Sequence, residues 1–129
     1  MNGAQMQKTT AIEVGDVYRL APETSFSGDK HGSNWRPCGV AEHLPEVTVI
    51  LLSRTTQPPR GRRRHVESPA QPHIGLTKPG WWTDRHVRPL APERLRDESL
   101  AEYLGSLPDA EADEVRRFWL VTKDLGPML

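Results

Sequence analysis

Twelve prolines are spread through the 129 residues, and they constrain the fold more than any other feature of the chain. Proline lacks a backbone donor and fixes φ, so it interrupts helix interiors and central strands alike. A chain broken this often is expected to build short strands joined by loops. Its length supports one core and is short for two domains. Hydrophobic residues at 36% and charged residues at 26% place it among folded, rather polar proteins.

Residues 1–12 are expected to form a flexible tail and residues 13–126 the folded domain. Residues 14–20 read as a first strand with an early turn at Gly15-Asp16. The polar stretch 22–34 reads as a mobile loop. Residues 35–40 read as a second strand, in which Pro37 holds Arg36 extended. Alternation places Arg36 and Cys38 on one face and Trp35 and Pro37 on the other. Residues 46–53 are the strongest strand, nearly continuous in apolar character and therefore central and buried on both faces. A loop over 57–64 precedes shorter extended pieces at 65–67, 73–76 and 81–87.

Beyond Asp97 the apolar period becomes helical. A short helix is expected from Asp97 through Leu100, Tyr103 and Leu104 to Gly105. A longer one starts near Pro108, with Ala112, Val115, Trp119 and Thr122 on one face, acids near its start and Lys123 near its end. Strands followed by helices predict a β-rich α+β domain, a sheet or barrel covered by a C-terminal helix.

The formal charge is zero, yet residues 54–96 hold ten Lys/Arg against three Asp/Glu, a balance of +7. Residues 97–129 hold three Lys/Arg against eight Asp/Glu, a balance of −5. A basic middle attracts polyanions even in a neutral molecule, or the two regions neutralise each other. The single Cys38 excludes an intramolecular disulfide, which fits a reducing cytoplasm. The N-terminus lacks the apolar core of a signal peptide, and no run approaches the roughly 20 apolar residues of a membrane span.

Four short motifs in order resemble the MazF/PemK-like toxin endoribonucleases. They are Gly15-Asp16-Val17-Tyr18 in the first strand, Arg36-Pro37 opening the second, residues 47–53 ending in the hydroxyl of Ser53, and Leu104-Gly105-Ser106-Leu107 before the last helix. The resemblance covers residues 13–122. It departs from the family at Ser53, where threonine is usual, at Arg54, where a small hydroxyl residue is common, at Leu51, where proline is frequent, and in the longer basic loop after Thr56.

The resemblance implies a small SH3-like antiparallel β-barrel with a C-terminal helix. It implies a growth-inhibiting toxin that cleaves single-stranded mRNA without a metal or cofactor, acts as a homodimer, and is blocked by an antitoxin protein. Arg36 would carry the phosphate, because a planar guanidinium matches two phosphate oxygens. Ser53 would complete the catalytic pair. Arg54, Thr55, Arg60, Arg62, Arg63, Arg64 and Trp82 are candidate RNA contacts. Each has a plainer alternative: a surface ion pair for Arg36, a turn bond for Ser53, a solvated loop for the arginine run, and a core position for Trp81 or Trp82. His65 and His73 are candidate acid–base groups. The histidines show no spacing that suits zinc, and no phosphate-binding glycine loop is present. The alternative function is a non-catalytic barrel of the same kind that binds nucleic acid or a protein.

Overall fold

The structure is a computed structural model, and it describes residues 8, 11–24, 35–44, 47–58 and 65–125. Six strands form one antiparallel sheet: β1 (Asp16–Leu20), β2 (Arg36–Leu44), β3 (Thr48–Thr55), β4 (His65–Ser68), β5 (Gly80–Leu90) and β6 (Ala101–Ser106). Their order across the sheet is β4-β5-β3-β2-β1-β6. A short helix α1 (Pro92–Leu95) follows β5, and a 17-residue helix α2 (Asp109–Leu125) ends the described chain. The β-rich α+β class and the C-terminal helix are therefore as the apolar periods predict. No described helix is long and apolar enough to cross a membrane.

The predicted central strand is central. β3 lies between β2 and β5, and its apolar residues divide between the two faces. One face packs Tyr18, Leu20, Cys38, Val40, Val49, Leu51 and Leu90 with Leu95 of α1. The other packs Val17, Leu52, Val66 and Trp82 beneath α2, whose Val115 is fully buried. Of the helical positions read from the sequence, Val115 and Thr122 are buried and Ala112 and Trp119 half-buried. Gly15 explains how close the helix comes. A Cβ there would lie 2.6 Å from the Cβ of Ala112, and its φ of +94° suits only glycine.

Residues 97–105 do not form the predicted short helix. Asp97 makes a turn instead: its Oδ1 accepts from the Ser99 backbone N–H at 2.9 Å and the Ser99 hydroxyl at 2.7 Å. Those two bonds hold the Asp97 carboxyl below the usual carboxylate range. The chain then runs out as β6 and pairs with β1, whose other edge would otherwise lack a partner. The extended piece expected at 73–76 is a 3-10 turn, Pro72–Ile74, with a single bridge between Gln71 and Leu76. The tail expectation also changes for its last described residues. Ile12 is buried in the first core, and Lys8 pairs with the buried carboxylate of Asp16.

The sheet is not closed into a barrel by hydrogen bonds, and among the described residues β4 and β6 are its edges. Side chains nevertheless bring the two ends together. The turn Pro72–Ile74 packs on β6, and Ile74 occupies the space a Cβ on Gly105 would need.

Candidate functional site

Register decides which side chains can meet. Cys38 on β2 is paired with Ser53 on β3, Ser53 with Thr83 on β5, and Thr83 with His65 on β4. Directly paired residues share a face, and residues two apart along a strand share it too. Arg36, Ser53, Thr55, Thr83, Trp81, His65 and Glu67 therefore stand on one face, at the end of the sheet beyond the first core. That end is polar, whereas further along the same face carries the first apolar core, with the fully buried Arg88 opposite Leu51.

The Arg36 guanidinium leans over β3, where its Nη2 donates to the backbone carbonyl of Arg54 at 3.1 Å. This sets it beside Ser53 and Thr55, as the second-strand alternation predicts for Arg36. Two hydroxyls nearby are fixed as acceptors. Thr55 Oγ1 accepts the Gln57 N–H at 3.0 Å, and Thr83 Oγ1 accepts the Arg85 N–H at 3.3 Å. A hydroxyl that accepts from the backbone keeps its own proton to donate. Arg36 and Thr55 are half-buried, whereas Ser53 is 2% exposed. A half-exposed cation flanked by hydroxyl donors is chemically suited to an anion such as a phosphate.

β5 departs from simple pairing at this point. Leu52 pairs with Val87 but Ser53 with Thr83, so Asp84, Arg85 and His86 have no counterpart on β3. Such a bulge re-aims side chains and is frequent beside functional sites. It sets a carboxylate, a guanidinium and an imidazole on the three residues that follow Thr83. The sequence pattern gave no sign of it, because a bulge shows only once two strands are in register. Of the two histidines singled out from sequence, His65 is on this face opposite Thr83. His73 is on the turn Pro72–Ile74 and is not part of it. Among the described residues, no three His, Cys, Asp or Glu side chains converge as a metal site would require.

Arg54 and Trp82, expected at RNA, are placed on the opposite face and inside the protein. Arg54 is 5% exposed and Trp82 fully buried. Arg54 Nε donates to Ser68 Oγ at 2.9 Å, and its Nη2 donates to the carbonyls of Ser68 at 2.9 Å and Lys78 at 2.8 Å. The same guanidinium lies over the Trp82 ring. Ser68 Oγ and Trp82 Nε1 each donate to Glu111 Oε2 at 2.7 Å, and Gln71 Nε2 donates to Glu111 Oε1 at 3.0 Å. Burial lowers the Arg54 pKa, and the nearby negative charge of Glu111 opposes that shift. Both residues are thus structural: they tie β3, β4 and β5 to α2 through one buried network. Glu111, Ser68 and Gln71 are the members that the sequence alone does not single out.

Arg60, Arg62, Arg63 and Arg64 lie outside the described residues, as does most of the predicted loop 22–34. The arginine run joins β3, which ends at Thr55, to β4, which starts at His65 on the same face as Arg36. No protein-family model matches the chain, and no curated protein matches it in sequence.

Proposed function

We propose that this protein is a metal-independent endoribonuclease of the MazF/PemK-like kind, the growth-inhibiting half of a toxin–antitoxin pair. The carrying observation is the polar end of the sheet, where Arg36 sits beside Ser53 and Thr55 on one face with Thr83 across β3. The inward turn of Arg54 supports it as well, because this bulky departure from the family pattern is held on the opposite face, away from Arg36. In this reading the curved sheet acts as an SH3-like barrel and two copies pair as a homodimer. An antitoxin protein covers the RNA site.

The reaction needs no group beyond the side chains. The ribose 2′-oxygen attacks the adjacent phosphorus, and the bond from phosphorus to the 5′-oxygen breaks. A 2′,3′-cyclic phosphate and a 5′-hydroxyl result. Arg36 binds two phosphoryl oxygens and stabilises the charge that builds on them. The Thr55 hydroxyl hydrogen-bonds the phosphate, with the buried Ser53 hydroxyl next along β3. The 2′-hydroxyl gives up its proton as it attacks and the departing 5′-oxygen takes one up, and His65 is the imidazole on this face to which we assign that exchange.

Purified protein incubated with RNA in EDTA is expected to give 5′-hydroxyl products. Arg36→Ala should reduce the rate about a hundred- to a thousand-fold, the usual loss for one preorganised donor at a developing charge. Arg36→Lys should fail too, since a point charge does not hold two oxygens in a plane. Cleavage by Arg36→Ala at the parent rate would overturn the assignment. The enclosure of Ser53, at 2% exposure, favours a second reading in which the same face binds nucleic acid without cutting it. Binding without cleavage or growth inhibition distinguishes it.

A further inference from the structure

One aromatic side chain at the polar end belongs to neither core. Trp81 is half-buried and is absent from both apolar clusters, whereas its neighbour Trp82 is the largest fully buried side chain. Trp81 is paired with Thr55 on one side and Glu67 on the other, so the three form a row across β3, β5 and β4. Paired positions stand about 5 Å apart at their Cβ atoms. Glu67 is exposed, and among the described residues neither its carboxylate nor the Trp81 indole has a hydrogen-bonding or ionic partner.

We propose that Trp81, Glu67 and Thr55 form a subsite that takes a guanine base of single-stranded RNA, an inference that rests on reading this end of the sheet as an RNA site. The accessible part of this half-buried indole stacks any base and does not discriminate among them. The carboxylate supplies the discrimination. It is acceptor-only, with two oxygens side by side. Guanine is the RNA base that presents two adjacent donors, N1–H and the N2 amino group, on its pairing edge. Adenine and cytosine set an acceptor nitrogen beside their amino group, which a carboxylate repels. Uracil sets its one N–H between two carbonyls. The guanine pair is therefore bidentate and charge-assisted. Thr55, held as an acceptor by Gln57, keeps its hydroxyl proton for the phosphate that follows the base. From Trp81 to Arg36 the distance is two strand spacings, about 10 Å, so one stretch of RNA reaches both.

The test uses the full chain and short 2′-O-methyl oligouridines carrying one central G, A, C or U, so that binding is read without cleavage. Anisotropy and tryptophan quenching report affinity. The G oligonucleotide should bind about tenfold tighter than the others, in line with one bidentate charged contact. Glu67→Gln should remove most of that preference while leaving the weaker affinity for A, C and U. Trp81→Ala should weaken all four by about tenfold or more, and Trp81→Phe should keep most of the affinity because it keeps a stacking face. Equal binding of all four bases overturns the subsite, as does a preference that survives Glu67→Gln, or no binding at all. Arg36-dependent cleavage without any guanine preference removes the subsite and leaves the ribonuclease intact. Guanine-selective binding without cleavage does the reverse.

Discussion

Glu111→Ala tests whether the buried network holds the fold together. The Glu111 carboxylate is 9% exposed and accepts three hydrogen bonds, from Ser68, Trp82 and Gln71. Alanine leaves those buried donors without their acceptor and leaves the Arg54 cation without its nearest negative charge. Breaking a buried ionic arrangement at one partner costs about 3–5 kcal/mol. Each orphaned donor costs about 1–3 kcal/mol. These terms overlap, because Ser68 connects the two charged groups and its loss would be counted in both. A net loss of about 4 kcal/mol is expected, a large part of the roughly 5–15 kcal/mol that stabilises a domain. Urea unfolding followed by far-UV circular dichroism should show the midpoint falling by about 2 M, given a slope near 2 kcal/mol per M.

Glu111→Gln separates charge from hydrogen bonding. Its amide oxygen can keep Ser68 and Trp82, which turns its amino group towards Gln71. The Gln71 Oε1 atom is buried without a partner, so a flip of the Gln71 amide supplies the needed acceptor. The flip gives up the 3.3 Å bond from Gln71 Nε2 to the Pro69 carbonyl. What then remains is the lost charge opposite Arg54 and the Gln71 amino group turned to a place without an acceptor, and a loss of about 2–3 kcal/mol, still below that of alanine, is expected. If Glu111→Ala unfolds within about 0.25 M of the parent, corresponding to roughly 0.5 kcal/mol, the network is not a principal support of the fold.

Three further outcomes are expected. In the ribonuclease reading, Ser53→Thr should retain RNA cleavage and Ser53→Ala should lose less than Arg36→Ala, because Ser53 is buried; equal losses in a single-turnover assay would contradict this. The Glu42 carboxyl is held below its ordinary value by hydrogen bonds from Trp119 and Lys123, so it stabilises the fold above the usual carboxylate range and that contribution is lost as pH falls through its lowered pKa. Trp119 fluorescence should therefore change below about pH 4.3, and Glu42→Gln should flatten the change. Light scattering should give twice the 14.5 kDa chain mass at high micromolar concentration, and the chain mass itself would refute the homodimer.

Much of the fold was legible because its signals were local. The continuous apolar run of β3 and the helical spacing of Ala112, Val115, Trp119 and Thr122 lead to the right elements in the right order. β6 is not legible locally, because Leu100, Tyr103 and Leu104 suit one turn of helix as well as an edge strand. Over so few residues the apolar period does not decide. The Asp97 turn and the available edge of β1 decide it, and neither is a local property of residues 100–105. At the site, alternation places Arg36 correctly. It also separates Ser53 from Arg54, since adjacent residues of one strand face opposite ways. The same reasoning removes Trp82 from a face that holds Trp81. The three-residue bulge at Asp84, Arg85 and His86 was beyond sequence reading, as was the reach of Glu111 to Trp82, because both depend on long-range register.

The two faces of this end of the sheet are chemically linked through the strands they share. Ser53, Thr55 and Trp81 face the candidate site, while Arg54 and Trp82, which alternate with them on β3 and β5, face α2. Any movement of Arg54 or Trp82 therefore moves the backbone that carries the site. Arg54 anchors three carbonyl or hydroxyl groups on β4 and the chain before β5, and Glu111 anchors Trp82 from the helix. A functional group is useful only if held within about 0.5 Å of its working position, which requires supporting side chains with their own rotamers locked. An arginine directly after Ser53 is thus no intrusion into the site. Its polar anchoring on the opposite face keeps it clear of the face that carries Ser53 and Thr55.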